Sequence, residues 1–188
     1  RIAIVISRTS FTHHWGVTQM SAHGWGGVVN LAGVPYDCYF AEDLTEDINL
    51  KKYDCLIFSQ CTYLTNAAYE KTVDVLKNYL SDGGNLIVDG LIGYFDENTK
   101  ERDHSKLDQL LNMKYIGFYG DSDYRIKVMD NNQFITKNYN QDEFVTQHIA
   151  GGLNIQTFEN NGSILLELTK KKKSYPFLSI RKKKKNRI

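Results

Sequence analysis

The chain has 188 residues, 41% hydrophobic and 24% charged, with a formal net charge of +1. It is long enough to bury a core without staples, and no apolar run reaches the roughly 20 residues of a membrane span. Cys38, Cys55 and Cys61 form an odd set without CxxC or zinc spacing, which argues against a disulfide framework.

The charge is unevenly placed. Residues 170–188 carry ten Lys/Arg and no acid, leaving 13 basic and 22 acidic groups in the rest. That tail reads either as a polyanion-binding patch or as a hairpin with a lysine turn and a solvated end. Nucleic acid is not the expected partner, because no aromatics interleave with the lysines as single-strand stacking requires. No signal peptide is visible. The chain opens at Arg1 and enters a strand at once, so we expect a single α/β domain over residues 1–188, excised from a larger multidomain protein. The compartment stays open.

Residues 2–6, "IAIVI", are continuously apolar and β-branched, the pattern of a strand buried on both faces. Residues 7–16 are expected as a loop, and a helix over about 17–32 follows. Val17, Met20, Val28 and Leu31 fall on one helical face, while Gly24, Gly26 and Gly27 weaken the helix by about 1 kcal/mol each. Gly33 stops it, and "AGVPYDCYF" (32–40) opens the second strand. "YDCLIFS" (53–59) is the third. The clearest helix follows, with Thr65 as N-cap, Tyr69, Val73, Leu76 and Leu80 as an apolar stripe, and Gly83 beyond its end. "NLIVDG" (85–90) is the fourth strand.

Alternating strands and helices predict a mainly parallel, flavodoxin-like sheet with helices on both faces. "SKLD" (105–108) opens a short helix through Leu111. "YRIKVM" (124–129), "QFIT" (133–136), a hairpin around Asn161-Gly162 and "YPFLSIRKK" predict an antiparallel extension of that sheet. Pro176 favours an edge or the first residues of the last strand.

Ligands of open α/β sheets bind beyond the carboxyl ends of the strands, where strand order reverses. The segments after strands one, three and four bring His13, His14, Trp15, Gln60, Cys61, Tyr63, Asp89, Tyr94 and Asp96 to that edge. His13 and His14 are adjacent and point apart, and no HxxxH spacing occurs, so no metal is expected. Cys61 follows a buried strand, as a nucleophile would, but "SQCTY" lacks the glycines of a sharp elbow. An inert, partly buried Cys61 is the expected state. Trp15 and the tyrosines could offer flat faces to a sugar, whereas Trp25 is expected in the core.

These segments resemble a known family. "GVPYD" (33–37), "KYD" (52–54), the "GG" turn before strand four and "GYFDEN" (93–98) resemble the class I glutamine amidotransferase-like superfamily. The branch is that of β-galactosidase middle (trimerisation) domains, and "QFITKNY" (133–139) also resembles a segment of ThuA-like domains. The resemblance covers residues 1–120 well and the rest loosely. It implies a fold more than an activity. The amidotransferase elbow needs a cysteine, and the matching "VDGLIGYF" has none between Gly90 and Gly93.

The resemblance therefore implies a non-catalytic accessory domain of a bacterial carbohydrate-active enzyme, without cofactor. Its expected partners are neighbouring domains of the same polypeptide, a carbohydrate ligand or a homo-oligomer. The alternative is a hydrolase or deacetylase-like domain working through the 7–16 segment with Cys61 or Asp89.

Overall fold

A computed structural model describes residues 1–45, 48–121, 125–133, 135–146, 153–160, 163–170 and 173–180. The chain divides into two compact units, Arg1–Leu107 and Asp108–Ile188.

The first unit holds β1 (Ile2–Ile6), α1 (Arg8–Leu31), β2 (Tyr36–Phe40), β3 (Cys55–Ser59), α2 (Asn66–Ser81) and β4 (Asn85–Asp89). The strands form one parallel sheet in the order β2-β1-β3-β4, so strand order reverses between β1 and β3. The crossover through α1 runs to one side of β1, and the crossover through α2 runs to the other side of β3. Right-handed crossovers then place the two helices on opposite faces of the sheet. Ile4 and Ile57 pack with Val29 of α1, and Trp25 lies against that cluster. Ala3, Val5, Leu56 and Phe58 alternate with these positions and are equally buried on the other face.

α2 follows its sequence. The Thr65 side chain accepts from Ala68 N, and Gly83 takes the left-handed conformation at φ 89°. Its buried side is Ala68, Tyr69, Thr72, Val75, Leu76 and Tyr79, which leaves Val73 and Leu80 at the margin of the expected stripe.

α1 departs from its expected form twice. It begins at Arg8, so residues 8–16 are helical and not a loop, with one non-helical residue at His14 (φ −139°, ψ 46°). Its apolar stripe also faces outward. Val17, Met20, Val28 and Leu31 are 48%, 77%, 59% and 91% exposed, whereas Ser10, Thr18 and Val29 are buried. Hydrogen-bonded serines, and not aliphatic side chains, set the rotation of this helix.

The second unit is antiparallel. After α3 (Ser105–Leu111) come β5 (Met113–Asp121), β6 (Arg125–Val128), β7 (Phe144–Thr146), β8 (Leu153–Asn160), β9 (Ser163–Lys170) and β10 (Lys173–Ile180). These form separate sheets, β10-β9-β6-β7 and β5-β8, and do not continue the parallel one. β10 is an edge strand, as Pro176 requires.

Among the described residues, β8 and β9 do not pair as a hairpin around Asn161-Gly162 would require. β9 is paired on both sides, by β6 and β10, and β8 pairs with β5. Residues 161–162 themselves lie outside the described set, as do 181–188 of the basic tail. β9 and β10 make the expected antiparallel pair, and residues 171–172 between them lie outside the described set. Of "QFIT", Gln133, Ile135 and Thr136 lie in a bend and a turn and not in a strand, and Phe134 lies outside the described residues. Asn132 N donates to Asp130 Oδ1 at 2.9 Å, and Thr136 Oγ1 donates to Asp130 O at 2.6 Å, wrapping the segment on itself.

Thr72 is fully buried, and its hydroxyl has no hydrogen-bond partner among the described residues. Leaving that hydroxyl unpaired costs free energy that an isosteric methyl does not. Thr72→Val should therefore raise the unfolding free energy by about 1 kcal/mol in urea denaturation.

Candidate functional site

Ser7, the first residue after β1, caps α1. Its Oγ accepts from Ser10 N at 3.1 Å, and its carbonyl accepts from Phe11 N at 3.0 Å. The two remaining N–H groups of the first turn, on Arg8 and Thr9, donate to the Glu42 carboxylate, each at 3.1 Å. Thr9 Oγ1 donates to the same carboxylate at 2.9 Å, and Ser7 Oγ lies 2.8 Å from it. The three free N–H groups of the first turn, on Arg8, Thr9 and Ser10, are thus occupied from within the chain.

A helix N-terminus at a strand-order reversal is the usual seat of a phosphate or other anion. Here that seat holds Glu42. Burial disfavours its charged form, but the N–H groups of Thr9 and Arg8 and the Ser7 hydroxyl outweigh burial. The carboxyl lies below the ordinary glutamate range. The Arg8 guanidinium turns away to pair with Asp43 at 2.7 Å and lies 4.1 Å over the Phe40 ring.

Ser10 closes the gap between β1 and β3. Its Oγ accepts from Tyr63 N at 2.9 Å and donates to Tyr63 O at 3.0 Å, so a side chain stands in for a strand neighbour.

A second carboxylate, Asp89 at the end of β4, holds the middle of α1. Trp25 Nε1 donates to its Oδ2 at 2.9 Å, and Ser21 Oγ donates to the same oxygen. Because Ser21 spends its proton there, Ser59 Oγ donates to Ser21 Oγ at 2.5 Å. Gln60 Nε2 donates to Asp89 Oδ1 at 3.2 Å, and Gln60 N to Asp89 O at 2.8 Å. Gln60 reaches this position from a left-handed backbone, φ 46°. Gly90 faces it, and a Cβ there would come within 2.7 Å of the Gln60 side chain.

Cys61 is fully buried. Its thiol donates weakly to Val5 O at 3.4 Å, and burial pushes its pKa well up, with the charges of Glu42 and Asp89 adding to the effect. Neither its hydrogen bonds nor those of Asp89 include a histidine.

The remaining expected residues form a rim. The His13 and His14 rings lie 4.9 and 5.9 Å from the Tyr63 ring, and Tyr63 stacks on Phe95 at 5.2 Å. His13 Nε2 is 3.1 Å from Glu97 O. Trp15 is 64% exposed beside this group in sequence. Tyr94 is buried behind Phe95, edge-on to it at 5.0 Å and stacked on His104 at 4.1 Å, and its hydroxyl donates to Glu101 at 2.8 Å. Asp96 accepts from Lys100 N at 2.9 Å and Asn98 N at 2.8 Å, which hold its carboxyl below the usual range and shape its own turn.

Thus His13, His14 and Tyr63 come together, as do Gln60 and Asp89, while Tyr94 and Asp96 serve the loop after β4. Glu42, Ser7, Ser10 and Ser21 were not expected here. "SRTS", placed directly after a strand, carries the N-cap signal that would have found Ser7.

Arg102 ties the edge together. Its guanidinium donates to Gly93 O at 2.8 Å, Leu64 O at 3.0 Å and Asn66 Oδ1 at 2.8 Å, and lies 4.6 Å over the Tyr69 ring.

With this geometry in hand, comparison with known proteins is informative about fold. No family model and no curated protein sequence matches the chain. Solved structures do. The chain has the fold seen in galactosidase domains, a ThuA-like protein and a glutamine amidotransferase. It is similar to a β-galactosidase from Rahnella sp. R3 at TM-score 0.63 and 12% identity, over 89% of this chain and 24% of that one. It is similar to a ThuA-like protein from Bacteroides uniformis at TM-score 0.59 and 16% identity, over 95% and 74%. A glutamine amidotransferase from Thermotoga maritima matches at TM-score 0.53 and 10% identity, over 88% and 66%. The chain therefore spans about a quarter of the galactosidase's length.

Two outcomes follow from the site. Arg102→Ala removes charge-assisted bonds to buried carbonyls and should cost about 2–3 kcal/mol in urea unfolding. Glu42, with a lowered folded pKa, stabilises the fold at pH values above the ordinary glutamate range, near pH 4.3. This contribution is lost as pH falls through the lower folded value. The stability gap between wild type and Glu42→Gln should therefore close on acidification from about pH 6 to 3. A gap that widens would contradict the assignment.

Proposed function

We propose that the chain is a non-catalytic, amidotransferase-like accessory domain of a larger carbohydrate-active protein, acting in assembly or in contact with a glycan. The observation that carries this reading is the occupied crevice. Glu42 fills the helix N-terminus, Asp89 is consumed by Ser21, Trp25 and Gln60, and the Cys61 thiol is buried and protonated. A nucleophile needs a base within hydrogen-bond reach and access to substrate, and neither carboxylate nor thiol here has both. The galactosidase fold likeness supports a place beside other domains, and is an analogy of fold only.

What the edge offers is surface. Trp15, His13, His14 and Tyr63 present aromatic faces at its rim, the chemistry that stacks on the apolar face of a sugar. A galactose-containing oligosaccharide is the ligand class we assign to that rim.

The purified chain should show no turnover of chromogenic esters, amides or glycosides above buffer. Native thiol titration should find Cys38 reactive and Cys61 silent until the protein unfolds. Turnover that disappears in Cys61→Ala or Asp89→Asn would overturn the reading.

A further inference from the structure

The outward face of α1 is unlike a solvated helix. From Thr9 to Tyr36 the chain has twenty-eight consecutive residues without a single Asp, Glu, Lys or Arg, although 24% of the whole chain is charged. α2 shows the ordinary pattern by contrast, with Glu70, Lys71, Asp74 and Lys77 outside its buried face. Charge depletion with exposed aliphatic side chains is the composition of an interface centre.

The outward residues are ordered. Val17, Met20, Gly24, Gly27 and Leu31 follow the 3-4-3-4 spacing of a coiled-coil seam, with Val28 beside it. Gly24 and Gly27 each cost the helix about 1 kcal/mol against alanine. Among the described residues nothing recovers that cost, since a Cβ at either position would meet no atom within 4 Å. Glycines at such positions admit the close approach of another backbone.

The seam is also nearly palindromic about Gly24. When it is laid antiparallel on itself, Val17 faces Leu31, Met20 faces Val28 and Gly24 faces Gly24. This self-complementarity is what a twofold, isologous contact requires.

The neighbouring sheet surface agrees. Ile87 of β4 shares the face of Asp89, which α1 reaches through Ser21 and Trp25, yet Ile87 is still exposed. α1 leaves that flank of the sheet open.

The geometry points to a homodimer in which α1 packs antiparallel against α1 of a second copy, crossing at Gly24. The seam from Val17 to Leu31 lies beyond the non-helical His14 and spans about 22 Å, so strips about 10 Å wide on the two helices cover about 450 Å² in total. With the Ile87 flank added, the contact lies at the small, weak end of specific interfaces, and dissociation in the upper micromolar range is expected. This inference rests on the assembly part of the proposed function and names its partner as a second copy of the chain.

The test is sedimentation equilibrium of the full chain from about 1 to 200 μM. The expected result is reversible growth from 21.6 kDa to twice that mass. Gly24→Glu fits the isolated fold, because no neighbouring atom is displaced, and should stay monomeric with an unchanged or higher Tm. Gly24→Cys in a Cys38→Ser background should crosslink to a dimer on mild oxidation, whereas Lys77→Cys in the same background should not.

A chain that remains monomeric throughout, forms a trimer, or dimerises equally well as Gly24→Glu would overturn the inference. A monomer would include the case in which another domain covers this face. Those outcomes leave the non-catalytic reading standing. Conversely, turnover through Cys61 would sink that reading without touching the dimer.

Discussion

Helix α1 is fixed on the sheet by hydrogen bonds to two carboxylates, and most other features of the first unit follow from that. Glu42 takes the N–H groups of Arg8 and Thr9, and Asp89 takes Ser21 and Trp25. A part-buried carboxylate is tolerable only when several donors replace its water, and each here has at least three. Aliphatic packing contributes through Val29 and Trp25 against Ile4 and Ile57. That packing alone would allow several helix rotations, whereas the serine and tryptophan donors allow one.

This constraint closes the place where related architectures bind ligands. The helix dipole and the free N–H groups at the strand-order reversal are answered by Glu42 from the segment after β2, and the gap behind them by Ser10 on the backbone of Tyr63. The same rotation turns the apolar positions of α1 toward solvent. One set of hydrogen bonds thus removes an internal site and creates an external surface. Fold likeness to galactosidase domains, a ThuA-like protein and an amidotransferase is compatible with this, because function resides in sites carried by the fold and not in the fold itself.

The parallel sheet was legible in the sequence. "IAIVI", "CLIFS" and "NLIVD" are β-branched, apolar and short, and α2 announces both ends with Thr65 and Gly83. α1 was not legible by apolar periodicity, because that signal assumes the apolar stripe is the buried one. Ser10 and Ser21 carry no such signal, and only their long-range partners, Tyr63 for the first and Ser59 and Asp89 for the second, explain their position. The partners of β9 were not legible either, because the sequence pattern pairs it with its neighbour β8 whereas β6 and β10 flank it. For the site, sequence reasoning placed His13, His14 and Tyr63 on one edge, and their rings do lie together. It missed Glu42, whose role depends on a contact 33 residues away with Thr9.

The chain's two tryptophans allow the central claim to be tested in one spectrum. The Trp25 indole N–H is bonded to Asp89, while Trp15 lies exposed on the same helix. Indole hydrogen exchange followed by two-dimensional NMR should show one slow and one fast signal, and the slow signal should become fast in Asp89→Ala. Equal, fast exchange of both indoles in the wild type, or protection that survives Asp89→Ala, would mean that α1 is not held on the sheet by its polar face.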